Sequence, residues 1–323
     1  MWSRRGVIAS GAVIAALSAS GCAQRSGTPL RVAITGKGAS DTRLLLEAAG
    51  LVPGFPIQYS EFQSGHLVIE ALNSDAIDFG GSSEIPPVFA VASAVQSFLQ
   101  VGVLHGDVNN QAVLVPKGSP IGNLRDLKGK RVGYVRATTS QYFLIQMLRS
   151  VGLSWSDIEP VALTVSDGAA AFSQGALDAW AIYGYVIQRA VTIEGATVLR
   201  TALGFLSGNY PVLAHRNALA NREKAARVLT YMQLMSEGYA WARLHQDKWA
   251  ALVAAEIGVS VPFVQDQLRR ESSPFQLKPV TREAIRSQQA VADVFTQAGL
   301  IPKPVDVARL WDARFNSDIM KGR

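Results

Sequence analysis

Of the chain's 323 residues only one, Cys22, is a cysteine. That excludes an intrachain disulfide, a CxxC redox motif and a cysteine-built metal site. Histidine is almost as scarce. His66, His105, His215 and His245 never fall at HxH or HxxxH spacing, so no metal ligation and no cofactor is expected. Charged residues make up 17% and no Lys/Arg run occurs, although the net charge is +6. A nucleic-acid footprint needs a clustered basic stripe, so that class is excluded. Two of the positive charges, Arg4 and Arg5, fall in a segment with the marks of removal. No apolar run reaches the roughly 20 residues that span a bilayer.

The chain does have a short apolar run at its start. Val7 to Leu17 is interrupted only by Ser10 and Gly11, behind Arg4-Arg5 and ahead of Ser18-Ala19-Ser20-Gly21. A charged start, a short apolar stretch and a small-residue end describe a secretory signal over residues 1–21. Cys22 directly after Ala19-Ser20-Gly21 has the form of a lipobox, with Ala19 where Leu is commoner. The expectation is an exported, periplasmic or cell-surface lipoprotein. Cys22 would carry the lipid and residues 22–29 would serve as a polar tether. Ser3-Arg4-Arg5 also has twin-arginine form.

Hydrophobicity is otherwise high, at 48%, and a chain this long folds better as two units than as one. Leu30 to Ile34, Pro56 to Tyr59 and Ala76 to Gly80 read as strands. Asp41 to Ala49 and Leu67 to Leu72 read as the helices between them. Alternation of this kind implies a parallel sheet with its loops at one edge. The order restarts with strand 131–135, helix 142–151, strand 160–163, helix 168–174 and strand 179–183. From Ala220 onward helices dominate, over 222–245, 248–257, 261–269 and 281–298. The fold class is therefore α/β, with two Rossmann-like lobes and a helical C-terminal part.

In open α/β sheets ligands sit at the carboxyl ends of strands, beside helix starts. Three polar turns occupy such places: Ser64-Gly65-His66, Gly80 to Glu84 with Ser82 and Ser83, and Ala137 to Ser140 with Thr138 and Thr139. Ser and Thr also cap helices without binding anything, which accounts for any one of these turns. Three in equivalent places point to a shared cleft suited to an anion.

Longer segments carry a resemblance. Glu61-Phe62-Gln63-Ser64-Gly65, Ile77-Asp78-Phe79-Gly80, Glu84-Ile85-Pro86-Pro87, Asp126 to Lys130, Leu177-Asp178-Ala179-Trp180 and Gly299 to Pro302 resemble the aliphatic sulfonate, taurine and nitrate-type substrate-binding proteins of ABC importers. The resemblance implies a periplasmic-binding fold with two chain crossings and a hinge. Lobe I would take residues 30–115 and 213–323, and lobe II residues 116–212. It implies a monomer that closes on a small organic anion and is read by permease and ATPase subunits. Carried over, the ligand-binding residues are Ser64, Gly65, His66, Ser82, Ser83, Glu84, Thr138, Thr139, Ser140, Asn209 and Tyr210. Lys37 and Tyr183 join them from the residues themselves, as a cation and an aromatic at the cleft.

Three departures widen the ligand range. Tyr183-Gly184-Tyr185-Val186 replaces the family's Trp-Asp-Pro-Tyr run, His66 replaces a small residue, and Glu84 replaces Asp. An aliphatic or aryl organosulfonate is the leading expectation, with nitrate, taurine or a pyrimidine vitamin precursor behind it. The related aryl sulfinate desulfinases use a cysteine after the first strand and an arginine before the Gly-Gly pair. Here those places hold Thr35-Gly36-Lys37-Gly38 and Asp78, so an enzyme is not expected.

Overall fold

The computed structural model describes residues 27–93 and 96–321. The expected signal, Cys22 and the tether up to residue 26 lie outside the described residues. The chain alternates β1 (Leu30–Thr35), α1 (Thr42–Ala49), β2 (Ile57–Phe62), α2 (Gly65–Asn73), β3 (Phe79–Gly81) and α3 (Ile85–Ala92) before β4 (Phe98–His105). It then builds β5 (Gln111–Val115), β6 (Arg131–Tyr134), α4 (Thr139–Ser150), β7 (Glu159–Ala162), α5 (Val165–Ser173), β8 (Ala179–Tyr183), α6 (Val186–Thr192) and β9 (Thr197–Thr201). The return runs through β10 (Asn209–His215), α7 (Arg216–Ala220), α8 (Arg222–Leu244), α9 (Gln246–Ile257), α10 (Val261–Arg269), β11 (Gln276–Lys278), α11 (Arg282–Gln297) and α12 (Asn316–Lys321).

Two sheets result, in the orders β11-β4-β10-β3-β1-β2 and β7-β6-β8-β5-β9. Each is parallel through its βαβ half and antiparallel beyond it. The sheets are thus mixed, where alternation alone suggested parallel. The expected lobe boundaries also shift. β5 pairs with β8 and β9 in the second sheet, and β10 pairs with β3 and β4 in the first. The chain therefore crosses between lobes at 106–110 and 202–208, not at 115/116 and 212/213.

The two crossings touch. Gly106 N–H donates to Gly208 O at 2.9 Å. Gly208 has φ +77°, and a Cβ there would stand 2.7 Å from Gly106 O. A Cβ on Gly106 would run into the Phe275 ring. Asp107, which is 2% exposed, ties down the first crossing by accepting from Asn109 N, Asn110 N and both Ser272 N and Oγ.

The lobes echo each other at a salt bridge. In each, an arginine opening a strand grips an aspartate 47 residues later. Arg31 Nη2 donates to Asp78 Oδ1 at 2.7 Å, and Arg131 Nη2 to Asp178 Oδ1 at 2.9 Å. Each aspartate returns its own N–H to that arginine's carbonyl. The second pair is partly exposed and contributes little. Asp78 is 1% exposed and also accepts from Lys224 Nζ on α8 at 2.9 Å, which pins the C-terminal helices onto the first sheet.

Apolar side chains cover both faces of each sheet. Leu45 and Leu46 of α1, Tyr231 and Met232 of α8 and Val253 of α9 pack on one face of the first sheet. Val68 and Leu72 of α2 with Val91 of α3 pack on the other. In lobe II, Phe143, Met147 and Leu148 of α4 face Phe172 and Ile187 across the sheet. Tyr142 and Ile145 of α4 also reach Val291 and Phe295 of α11, so one apolar seam joins the lobes away from the crossings.

The arginine and lysine beside Asp78 offset its burial and hold its carboxyl down at about 2. The stability it contributes is complete above its unfolded value near 3.8 and is lost as pH falls through its folded value. Asp78→Asn should cost about 3 kcal/mol at neutral pH, because a buried charge partner is removed. It should also flatten the loss of stability between those two values. Urea unfolding at a series of pH values checks both.

Candidate functional site

The parallel strands of both lobes end at the gap between the lobes. A cavity of about 470 Å³ lies there. Lobe I contributes the β1–α1 turn (Thr35 to Ser40), Gln63 to Gly65 and Gly80 to Ser83. Lobe II contributes Thr138, Thr139, Val165, Ser166 and Tyr183 to Val186. Met235, Tyr239, Val253, Ile257, Gln267 and Phe275 come from the C-terminal part.

Helices α2, α4 and α6 start at the cavity without a side-chain cap bond, and α2 and α4 are the longer two. Ser64 caps α2 in extended geometry, yet its side chain makes no cap bond. Thr138 caps α4 in the same way. The first-turn N–H groups of both helices therefore lack side-chain partners. Gly65 is required where it sits, since a Cβ would come within 2.8 Å of Ser82 Cβ. The α5 start, at the place in lobe II equivalent to α2, is closed instead. Thr164 accepts from Asp167 N at 3.1 Å and donates to its carboxylate at 2.8 Å.

The turn before α4 is built to hold its shape. Ala137 has φ +55°, a left-handed conformation that costs a non-glycine residue about 1 kcal/mol. Three local bonds hold it there. Ala137 N–H donates to Gln141 Oε1, Val135 N–H to Ser140 Oγ, and Thr138 Oγ1 to Val135 O. Among the described residues, the hydroxyls of Ser64, Ser83 and Thr139 make no hydrogen bond, while those of Thr138 and Ser140 are spent inside the turn. Ser82 Oγ donates to Ser83 O at 2.9 Å.

Of the residues singled out from sequence, Lys37, Ser64, Gly65, Ser82, Ser83, Thr138, Thr139, Tyr183 and Tyr210 line this cavity. Four do not. His66 turns along its own helix, with Nε2 3.1 Å from Glu70 Oε1. Ser140 faces inward, 0% exposed. Glu84 and Asn209 flank a recess of about 10 Å³ behind the cavity wall, too small for an organic anion. Glu84 is 3% exposed and accepts from Ser207 Oγ, Ser287 Oγ and Asn209 Nδ2. It therefore joins the second crossing to α11 and is not part of the larger cavity's lining.

Tyr210 serves the hinge as well as the wall. Its hydroxyl donates to Asp107 O at 2.6 Å and accepts from Gln111 Nε2 at 3.0 Å. Gln111 Oε1 is buried and has no partner. Burial pushes the Tyr183 hydroxyl up to about 12, so it is a neutral donor at physiological pH. Lys37 and Glu61 are the charged residues of the lining, and both are exposed.

Residues 54–249 match the family described as NMT1/THI5 like. The chain belongs to that family. A protein of Escherichia coli (strain K12) named for aliphatic sulfonate binding is 34% identical over 261 residues, 80% of each chain. The crystal structure of the periplasmic aliphatic sulphonate binding protein SsuA from Escherichia coli aligns with TM-score 0.78 at 32% identity, covering 89% of this chain and 93% of that one. The alkanesulfonate-binding protein SsuA from Xanthomonas axonopodis pv. citri, bound to MOPS, aligns with TM-score 0.81 at 28% identity, covering 89% and 99%. The fold of this NMT1/THI5-like chain is that of the periplasmic binding proteins, as the resemblance implied.

Burial raises the Glu84 carboxyl above its ordinary value of 4.5, against the pull of its three donors. A raised carboxylic acid favours the fold below its unfolded value and loses that contribution as pH rises through its folded value. Glu84→Gln should therefore lose less stability than the parent as pH rises above about 4.5. Thermal melts across that range test this, and parallel pH profiles would contradict it.

Proposed function

We propose that this chain is the exported solute-binding component of an ABC importer, holding an organosulfonate between its lobes. One observation carries the reading: two uncapped helix starts, α2 of lobe I and α4 of lobe II, open onto the same cavity. Backbone N–H groups and the helix dipole favour an anion at such ends. A sulfonate spreads one charge over three oxygens, which matches converging donors and the hydroxyls of Ser64, Ser83 and Thr139. Lys37 adds positive charge at the rim.

In this reading Ser82, Gly65, Thr138, Tyr183 and Tyr210 form the wall. His66, Glu84, Ser140 and Asn209 support the turns and the hinge. Closure about the two crossings brings the α4 start over an anion already held at α2, and permease and ATPase subunits read the closed form. The sulfonate-binding names of the E. coli and Xanthomonas relatives support the ligand class. The binding role, as opposed to catalysis, draws support from the same relatives and from a β1–α1 turn, Thr35 to Gly38, that lacks the cysteine the desulfinases use there. Lipid attachment at Cys22, with export to the periplasm or cell surface, rests on the sequence pattern of residues 1–22 and on the periplasmic SsuA relative. The two-lobe partition is drawn at the crossings.

A second reading has one observation in its favour. Gln111 Oε1 is an unmatched acceptor on a cavity residue, and Tyr183 and Tyr185 line the wall nearby. A neutral heterocycle bearing an N–H would use both.

Calorimetric titration with methanesulfonate, taurine, an aryl sulfonate, nitrate and a pyrimidine thiamine precursor separates these readings. At least one sulfonate should bind at low micromolar Kd or tighter without being turned over. Thr139→Ala should weaken it by about 1.5–3 kcal/mol, the worth of a hydrogen bond to a charged group. Binding of the pyrimidine alone would favour the second reading. Cys22→Ser should move the protein from the membrane fraction to the soluble one, as fractionation and immunoblotting would show.

A further inference from the structure

Segment 270–275 links α10 to β11 and lies over the first crossing as a strap. Asn109 Nδ2 donates to Arg270 O at 2.8 Å, and Val108 N–H donates to Ser272 Oγ at 2.9 Å. Ser272 gives Asp107 Oδ1 both its N–H at 2.7 Å and its hydroxyl at 2.9 Å. Phe275 ends the strap against Gly106, where a Cβ would run into its ring. Arg243 of α8 fixes that end by donating from Nη1 to Phe275 O at 2.9 Å. The same ring stacks on Tyr239 with centroids 5.3 Å apart and lies 5.8 Å from that of Tyr210. All three rings line the cavity. One strap thus touches the hinge on one side and the ligand space on the other.

Glu271 sits inside this strap and is half-buried. Among the described residues its carboxyl has no hydrogen-bond or ion-pair partner. The charge that bears on it is the Asp107 carboxylate, of like sign. Tyr239 faces it from α8. Burial, and then the Glu271 charge, push that hydroxyl above its ordinary value, so it stays neutral. The cations around the strap are engaged elsewhere. Arg243 holds Phe275 O, Arg270 Nε pairs with Asp266 at 2.9 Å, and His105 turns Nδ1 to Asn209 Oδ1 at 3.1 Å. Burial, with Asp107 second, pushes the Glu271 carboxyl up to about 7, so its charge changes near neutral pH.

We propose that the strap is a clamp on the hinge, and that Glu271 is the positioning residue that makes the clamp, and with it the affinity for an anion, depend on pH. The affinity part rests on the sulfonate reading above, and the clamp part does not. With a proton on Glu271, Asp107 and its donors hold the strap shut. With the proton lost, two carboxylates oppose each other across the strap. The clamp loosens, and a second negative charge stands behind the wall that meets the anion. A carboxyl raised in the folded state contributes below its unfolded value of 4.5 and loses that contribution as pH rises through about 7. Anion binding in turn draws a proton onto Glu271.

Hydrogen exchange read by mass spectrometry on the ligand-free protein tests the clamp. Protection of peptides covering 106–111 and 270–276, corrected for the intrinsic pH dependence of exchange, should fall about three- to tenfold between pH about 6 and 8. Glu271→Gln should keep the low-pH protection throughout, and Glu271→Asp should keep the fall. Calorimetric titration with methanesulfonate and benzenesulfonate, whose own charge is constant over this range, tests the affinity. Kd should weaken by a similar factor in the parent and stay level in Glu271→Gln. Protection that is flat in the parent, or that falls equally in Glu271→Gln, would overturn the clamp. A fall in protection with a level Kd would overturn the affinity part alone. No binding of either sulfonate at any pH would overturn the sulfonate reading and leave the clamp to stand on the exchange data.

Discussion

The chain leaves lobe I once and returns once, and both passages must share a gap only a few residues wide. Gly106 and Gly208 make that possible, because each lies where a side chain would strike the other strand or Phe275. Their hydrogen bond, the Asp107 carboxylate and the Tyr210 hydroxyl then tie the two strands into a single joint. The cavity exists because the sheets meet at this joint with their strand ends facing. Glu84 extends the joint to α11 through Ser207, Asn209 and Ser287. The seam of Tyr142 and Ile145 against Phe295 gives it a second bearing.

The lobes are copies in topology but not in chemistry. The Arg31–Asp78 pair recurs as Arg131–Asp178 with the same 47-residue span, and Thr164 stands where Ser64 stands. Yet Thr164 fills its own helix start, while Ser64 leaves its start open. The β1–α1 side of the cleft also borrows helices α8 and α9, for which lobe II has no counterpart. Cavity-lining groups are therefore denser on lobe I, and lobe II supplies chiefly the α4 start and the two tyrosines.

Much of this is legible in the sequence. The strand–helix alternation and its restart correspond to β1–α3 and β6–α6, since period and turn residues encode them locally. The crossings are not legible, because no helix–strand alternation marks β5 and β10 and only long-range pairing assigns each to a sheet. At the site, Ser64, Ser83 and Thr139 are legible as strand-end polar residues. His66, Ser140 and Glu84 share those turns but point elsewhere, and direction around a first helical turn is set by packing that the sequence does not display. Met235 with Tyr239, and Val253 with Ile257, are spaced four apart. A core face and a cavity wall have that same spacing, so only the structure separates them.

The cavity wall joins distant parts of the chain. Gly38 near one end packs on Ile257 near the other, and Phe275 closes over Tyr239. A nascent or partly translocated polypeptide lacks those late residues and has no finished pocket, however well its first βαβ unit has formed. Ligand capture is thus a property the molecule acquires last in its biogenesis, after nearly the whole chain has emerged and collapsed.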